Sequence, residues 1–433
     1  MGKTMKKTMI ALSIALSTSL AAHAATDKVT FHSEDKAMLE KVAALGISQS
    51  NWDSNEFASM FFIEPQRVSE HAIIAKSSNP RTFDQSDKSI DLNHIMVQDV
   101  DGWELSLNDL LRDRMHNRSM VILQDGKLVH EHYWSGINKE TKQLTMSAAK
   151  SFTSSLAGIA QAEGYFKFSD NVEKWLPEAK GTVIGAYPIQ YVSDMRSGFD
   201  LIDDTKNVYG SDWDTSMEHA ISWKGHTDSE WVGIKDYTPH LTQLSYEQGK
   251  KYEYHSYNTE ALGLITQRAV GKHWTEYFQE KIWEKGQFTS DTSIMVDKER
   301  TVIACGSMGM TTRDFANMGD IWAHDGKSQN GTQVVPKEWL DNVWAGNDEV
   351  KAAWAKGKEA PLAEGFYKDQ FRVLNLGGEE WLLAIGVNGQ VIAVEKESKT
   401  VIAMMGNYNL PSDARWAVDV LHMAIPTIKA NIK

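Results

Sequence analysis

Met146-Ser147-Ala148-Ala149-Lys150-Ser151-Phe152-Thr153-Ser154, continuing through Leu156-Ala157-Gly158-Ile159-Ala160, anchors the reading of the chain. The spacing predicts a helix from about Ser147 to Glu163, stopped at Gly164, a residue free to take the left-handed conformation that ends helices. Phe152, Leu156 and Ile159 fall on one stripe of it, while Ser147, Lys150, Ser151 and Ser154 cluster opposite. Residues three apart share a helix face, so the Lys150 amine can reach the Ser147 hydroxyl and take its proton. A dry stripe opposed by hydroxyls and one lysine suits a site wall between two domains, where burial would lower the lysine pKa and free its lone pair. Spacing alone does not single out a site, because Ser33-Glu34-Asp35-Lys36 repeats it. There Ser33 reads as an N-cap, followed by acids that suit the positive end of a helix.

Strands flank that helix in the text. Met120 to Gln124 and Lys127 to Trp134 are β-rich runs joined by Asp125-Gly126, a pair suited to a tight hairpin. Near the other end, three apolar runs recur: Phe371 to Leu376, Trp381 to Gly386 with its continuation Val391 to Val394, and Val401 to Met405. An amphipathic helix from about Ser412 to Ile428 closes the chain, and Asp170 to Gly249 is rich in Trp, Asp and short helical pieces. This order predicts an α+β fold (an α/β sandwich), with one antiparallel sheet built from both chain ends and flanked by helices, plus a mostly helical inserted domain. The expected boundaries are a leader over 1–24, a lead-in over 25–103 that wraps the main body, a sheet domain from 104–165 and 290–433, and a mostly helical domain over 166–289.

The 433 residues carry 45 Lys and Arg against 58 Asp and Glu, with 42% apolar residues, an ordinary globular composition able to bury a substantial core. The single cysteine, Cys305, excludes an intrachain disulfide, a Cys-x-x-Cys zinc site and an iron–sulfur site. No concentration of Lys and Arg offers a nucleic-acid surface. Lys3, Lys6 and Lys7, an apolar run from Met9 to Leu20, and Ala22-His23-Ala24 form a leader of the kind a signal peptidase removes. The expectation is a bacterial periplasmic or secreted protein cleaved after Ala24, its net charge moving from −13 to −16 as three lysines and no acids leave. The apolar run is shorter than the roughly 20 residues a bilayer requires, so stable membrane insertion is not expected.

The stretch from Met146 to Ala160 resembles the active-site helix of the serine β-lactamase and penicillin-binding-protein superfamily, in its class C-like branch. Val192-Ser193-Asp194-Met195-Arg196-Ser197-Gly198 resembles the segment that leads into that family's helical domain. Tyr252-Glu253-Tyr254-His255-Ser256-Tyr257-Asn258-Thr259-Glu260-Ala261-Leu262-Gly263 resembles its tyrosine motif and the following helix. Met308-Gly309-Met310-Thr311-Thr312-Arg313-Asp314 resembles a later helix start, and Gly331 to Trp339 the segment after it. The resemblance spans roughly Met120 to Asn407 and implies a serine hydrolase working through an acyl-enzyme. Ser147 would be the nucleophile, Lys150 and Tyr254 would move the proton, and neither cofactor nor metal would be required. Counting back from Leu262-Gly263 puts Tyr254, not Tyr257, at the family's tyrosine, with Ser256 where many class C-like enzymes carry Asn. In an extended segment residues two apart face the same way, so both are expected to face Ser147. This Tyr-x-Ser form is similar to the 6-aminohexanoate-dimer hydrolase branch.

The third motif departs from the family. β-Lactamases and peptidases of this superfamily usually carry Lys-Thr-Gly on a strand beside the serine, where it holds the substrate's carboxylate; the matching place here is Val387-Asn388-Gly389-Gln390. Losing the ammonium removes a charge-assisted contact worth roughly 1.5 to 3 kcal/mol, so β-lactam affinity is expected to be poor. Gly389 would still let backbone approach closely, and the Gln390 amide could pair with the Ser147 amide as an oxyanion hole. Ser256, Asn388, Gly389 and Gln390 are the expected oxyanion and substrate-binding residues. Asn388-Gly389 is also a strong hairpin-turn pair, and that reading stays open.

Asp200, Asp203, Asp204, Asp212 and Asp214 either form a solvated loop or attract a cationic amine on a substrate. His130-Glu131-His132 places two imidazoles on one strand face without an evident third ligand, so no metal site is expected. The expected activity is hydrolysis of a small-molecule linear amide or ester, of 6-aminohexanoate-oligomer or small-ester type. β-Lactam hydrolysis or D-Ala-D-Ala carboxypeptidase activity comes second, and a cell-wall or peptide-binding module without turnover is the reading of another class. Nothing in the text fixes an oligomeric state.

Overall fold

A computed structural model of the chain describes residues 29–54, 57–199, 217–225, 232–408 and 414–433. The leader and the acidic stretch from Asp200 to Asp214 lie outside them. The first strands are β1 (Phe31–His32) and β2 (His71–Ile74), then a small pair, β3 (Met96–Gln98) and β4 (Glu104–Ser106). β5 (Asn117–Gln124), β6 (Lys127–Tyr133) and β7 (Gln143–Leu144) precede the Ala149–Ala162 helix. β8 (Thr292–Met295) and β9 (Met308–Met310) follow the helical stretch. β10 (Gly365–Lys368), β11 (Phe371–Leu376), β12 (Glu379–Gly386), β13 (Gln390–Glu395) and β14 (Thr400–Gly406) come last.

The main sheet is antiparallel, in the order β10-β11-β12-β13-β14-β5-β6. Both chain ends meet where β14 pairs with β5, Ile402 opposite Ile122. Asp125 at φ +48° and Gly126 at φ +78° turn β5 into β6, the left-handed pair that a two-residue hairpin demands. β13 and β14 are buried along their whole lengths, so their central text is continuously apolar rather than alternating. The Thr312–Ala323 helix lies so close to this sheet that a Cβ on Gly319 would stand 2.6 Å from both Ile392 and Val401. Thr311 caps that helix by accepting from the Asp314 N–H. Between 166 and 289 the described elements are helical, and the Tyr257–Val270 helix packs on Ala149–Ala162.

Three local expectations change. The lead-in does more than wrap the body: β1 and β2 join β8, β9 and β7 in a second, five-stranded sheet. Asp35, not Ser33, caps the Lys36–Ala43 helix, its carboxylate accepting from the Met38 N–H at 3.0 Å. β12 and β13 are two strands, because Val387-Asn388-Gly389 turns the chain back with Gly389 at φ +91°. The hairpin reading of Asn388-Gly389 is the one realised. Among the described residues no helix is long and apolar enough to cross a membrane.

Candidate active site

Ser147 sits where a strand is forced into a helix. β7 pairs with β9, and the Thr145 N–H and hydroxyl both donate to the Met308 carbonyl, at 2.9 and 3.0 Å. Met146 follows at φ +47°, a strained conformation for a residue with a side chain, which persists only where the surroundings fix it. A 3₁₀ turn over Met146–Ala148 then runs into the Ala149–Ala162 helix, leaving Ser147 half-buried on a cavity of about 410 Å³. Tyr254, Arg372, Gly386 and Val387 share that cavity.

Lys150, only 1% exposed, lies one turn along the helix. Its Nζ donates to Ser147 Oγ at 3.1 Å and to the Cys305 carbonyl at 2.8 Å, and stands 5.2 Å from the centroid of the Tyr254 ring. The structure therefore brings Ser147, Lys150 and Tyr254 together. The expected low lysine pKa is corrected: burial pushes it down, but Tyr254, Cys305 and Glu260 outweigh burial and hold the amine above its ordinary value. That direction favours the protonated amine, which donates to Ser147 Oγ.

Glu260 explains where the Cys305 carbonyl points. From the buried face of the Tyr257–Val270 helix its two oxygens accept the Ala304 and Cys305 N–H groups at 2.9 and 3.0 Å. Burial raises its pKa to about 7, against the lowering effect of hydrogen bonds from Cys305 and Ala304 and of the Lys150 charge. The folded-state value lies above the ordinary 4.5, so the native chain binds this proton more tightly than the unfolded one. The stability this group contributes is fully present below about 4.5 and is lost as pH rises to about 7. Glu260→Gln cannot ionise, so its urea-unfolding stability should decline less between pH 5 and 8 than that of the parent. Parallel pH curves would contradict this assignment.

Four expected binding residues are placed differently. Ser256 has helical angles (φ −61°, ψ −34°) as the N-cap of Tyr257–Val270, and its hydroxyl neighbours the Cys305 thiol rather than the cavity. The helix begins there, so the two-residue alternation that would aim it at Ser147 has ended. Gln390 is fully buried, with Nε2 donating to the Gly406 carbonyl and Oε1 accepting from the Asn388 N–H. Asn388 is buried too, donating through Nδ2 to the Tyr408 carbonyl, and Gly389 forms the turn. None of the three lines the Ser147 cavity; Gly386 and Val387 do. A Cβ on Gly386 would stand 2.7 Å from the Thr145 carbonyl, so only glycine lets this strand end approach the Ser147 turn. The hydroxyl row opposite the apolar stripe is likewise internal, with Ser151 donating to the Gln370 carbonyl at 2.7 Å and Ala149 to Ala160 buried on all sides.

The sequence reading missed Arg372, Glu359 and Lys358. Arg372 faces the cavity from β11, its guanidinium 5.0 Å from the Tyr254 ring centroid and clasping Glu359 through Nε at 2.6 Å and Nη2 at 2.8 Å. Trp354, Leu362, Leu374, Ile385, Trp416 and Leu421 give the cavity a largely apolar wall.

An antiparallel sheet joined from both chain ends, with a Ser-x-x-Lys turn and a tyrosine at one cavity, defines a protein class, and the Beta-lactamase family pattern matches residues 107–422. The chain belongs to that family, as the resemblance implied, and has the expected α+β fold. It is similar to the 6-aminohexanoate-dimer hydrolase of Paenarthrobacter ureafaciens, 26% identical over 300 residues, which cover 69% of this chain and 74% of that one. A Bacillus anthracis protein described as a 6-aminohexanoate-dimer hydrolase shares the fold at a TM-score of 0.76 and 19% identity, over 89% of this chain and 98% of its own. The D-stereospecific amidohydrolase from Streptomyces sp. does so at 0.53 and 15%, over 73% and 97%.

Proposed function

We propose that this β-lactamase-family hydrolase opens linear amides or esters through an acyl-enzyme on Ser147. The observation that carries the reading is the 3.1 Å contact from Lys150 Nζ to Ser147 Oγ in a cavity shared with Tyr254. Ser147 Oγ attacks the substrate carbonyl while its proton passes to Tyr254, which takes part as the phenolate held beside the Lys150 ammonium. The Lys150 ammonium holds Oγ in place and offsets the negative charge that passes through the tyrosine oxygen. Tyr254 then returns the proton to the leaving amine or alcohol, and water releases the acyl group by the reverse route. The oxyanion is assigned to the N–H groups of Ser147 and Val387. Val387 follows the last ladder pair, Gly386 with Gln390, so its N–H is not claimed by the sheet. No cofactor enters this scheme. The related 6-aminohexanoate-dimer hydrolase supports a linear amide as substrate. Export is part of the same proposal, with the mature chain starting at Ala25.

The choice between linear substrates and β-lactams is read by assaying short-chain 4-nitrophenyl esters and a chromogenic cephalosporin side by side. Ester turnover is expected to exceed cephalosporin turnover at least tenfold in kcat/KM, because Val387 stands where the lactam-binding branches carry an ammonium. Rapid cephalosporin turnover without esterase activity would reverse the assignment.

A further inference from the structure

The cavity beside Ser147 is not electrically neutral. Glu359 lines it, but its Oε1 accepts from the Tyr252 hydroxyl at 2.9 Å and Arg372 Nη2 at 2.8 Å, and its Oε2 from Arg372 Nε at 2.6 Å. That carboxylate is fully engaged. Arg372 Nη1 has no protein partner among the described residues, and Lys358, also on the cavity wall, has neither hydrogen bond nor ion pair there. Among the described residues the charge left facing the cavity is therefore positive, and it adjoins an apolar wall. A ligand that satisfies both is a hydrocarbon chain ending in an anion, since a guanidinium edge and an ammonium are the donors a carboxylate pairs with.

The position of these cations also selects for shape. Gly386 ends β12 and Val387 follows it, both on the cavity with Ser147, whereas Arg372 is on β11, opposite Leu383 of β12. Neighbouring strands lie roughly 4.8 Å apart, so an anion held on β11 sits a strand's width beyond the one that flanks the nucleophile. A compact lactam carries its carboxylate next to the scissile bond; a linear acyl chain has the spacer this geometry calls for.

We propose that Lys358 and Arg372 make this cavity selective for linear amides or esters that carry a carboxylate, separated from the scissile carbonyl by a methylene chain. The inference rests on the acyl-enzyme reading above and specifies the substrate class of that site.

The test uses the mature full chain and two esters of one length, mono-4-nitrophenyl adipate and its methyl-capped diester, read by nitrophenolate release. The free acid should exceed the capped ester about tenfold in kcat/KM at low ionic strength, with the ratio falling as salt is added. Lys358 is exposed, so Lys358→Ala and Lys358→Glu are not expected to disturb folding, which their thermal transitions check. The ratio should fall toward one in Lys358→Ala and below one in Lys358→Glu. Equal rates for the two esters in the parent, or a ratio unmoved in both variants, would overturn the selectivity while leaving the acyl-enzyme intact. Failure to hydrolyse either ester would overturn the acyl-enzyme reading, and the selectivity with it.

Discussion

Replacing Lys150 by Met should lower kcat for ester hydrolysis by about 10³-fold, the upper end of what losing one positioned electrostatic donor costs. Met fills much of the same volume, so the helix packing around this buried residue is retained. What disappears is the donor to Ser147 Oγ at 3.1 Å, and with it the positive charge beside Tyr254. The Cys305 carbonyl, which accepts from Nζ at 2.8 Å, is left without that partner, at a cost of about 1–3 kcal/mol in stability. The two effects separate cleanly: urea unfolding reads the second, and kcat measured where the variant is fully folded reads the first. A folded Lys150→Met enzyme within tenfold of the parent would remove lysine from the mechanism.

Tyr254→Phe should cost about 10²- to 10³-fold in kcat with KM changed little. The ring keeps its edge contact with Tyr367 and its place under the Arg372 guanidinium, so only the oxygen is lost. Because the Lys150 charge acts through the proton transfer at Tyr254, the double variant should be little worse than the poorer single one. Multiplying losses would mean that the two act independently.

The parts of the fold that could be read in advance are those written locally. Asp125-Gly126 specifies its own turn, and the apolar positions from Phe152 to Ile159 specify a buried helix. The Ser147 and Lys150 pairing was legible for the same reason, since three residues of helix bring the two groups together whatever surrounds them. Tyr254 could be placed only by counting from Leu262-Gly263. The Gln390 amide was misplaced because Gln390 begins the buried return strand of a hairpin, paired with Gly386, and the residue the turn leaves outside the ladder beside Ser147 is Val387. Ser256 failed where an extended segment gives way to a helix and the period changes from two to 3.6. Arg372, Glu359 and Lys358 carry no pattern of their own; they meet through the β11–β12 register and the fold of the chain before β10. The charge on Lys150 was out of reach as well, because it is set by Tyr254, Cys305 and Glu260, which only the tertiary fold brings to it.

The account stands on Ser147 as the atom that carries the acyl group, and intact-mass spectrometry after brief mixing with a short-chain 4-nitrophenyl ester tests this directly. The prediction is one added acyl mass per chain, mapped by peptide digestion to the segment holding Ser147, and no added mass with Ser147→Ala. An adduct on any other residue, or a Ser147→Ala protein that still turns over the ester at the parent's rate, would contradict it.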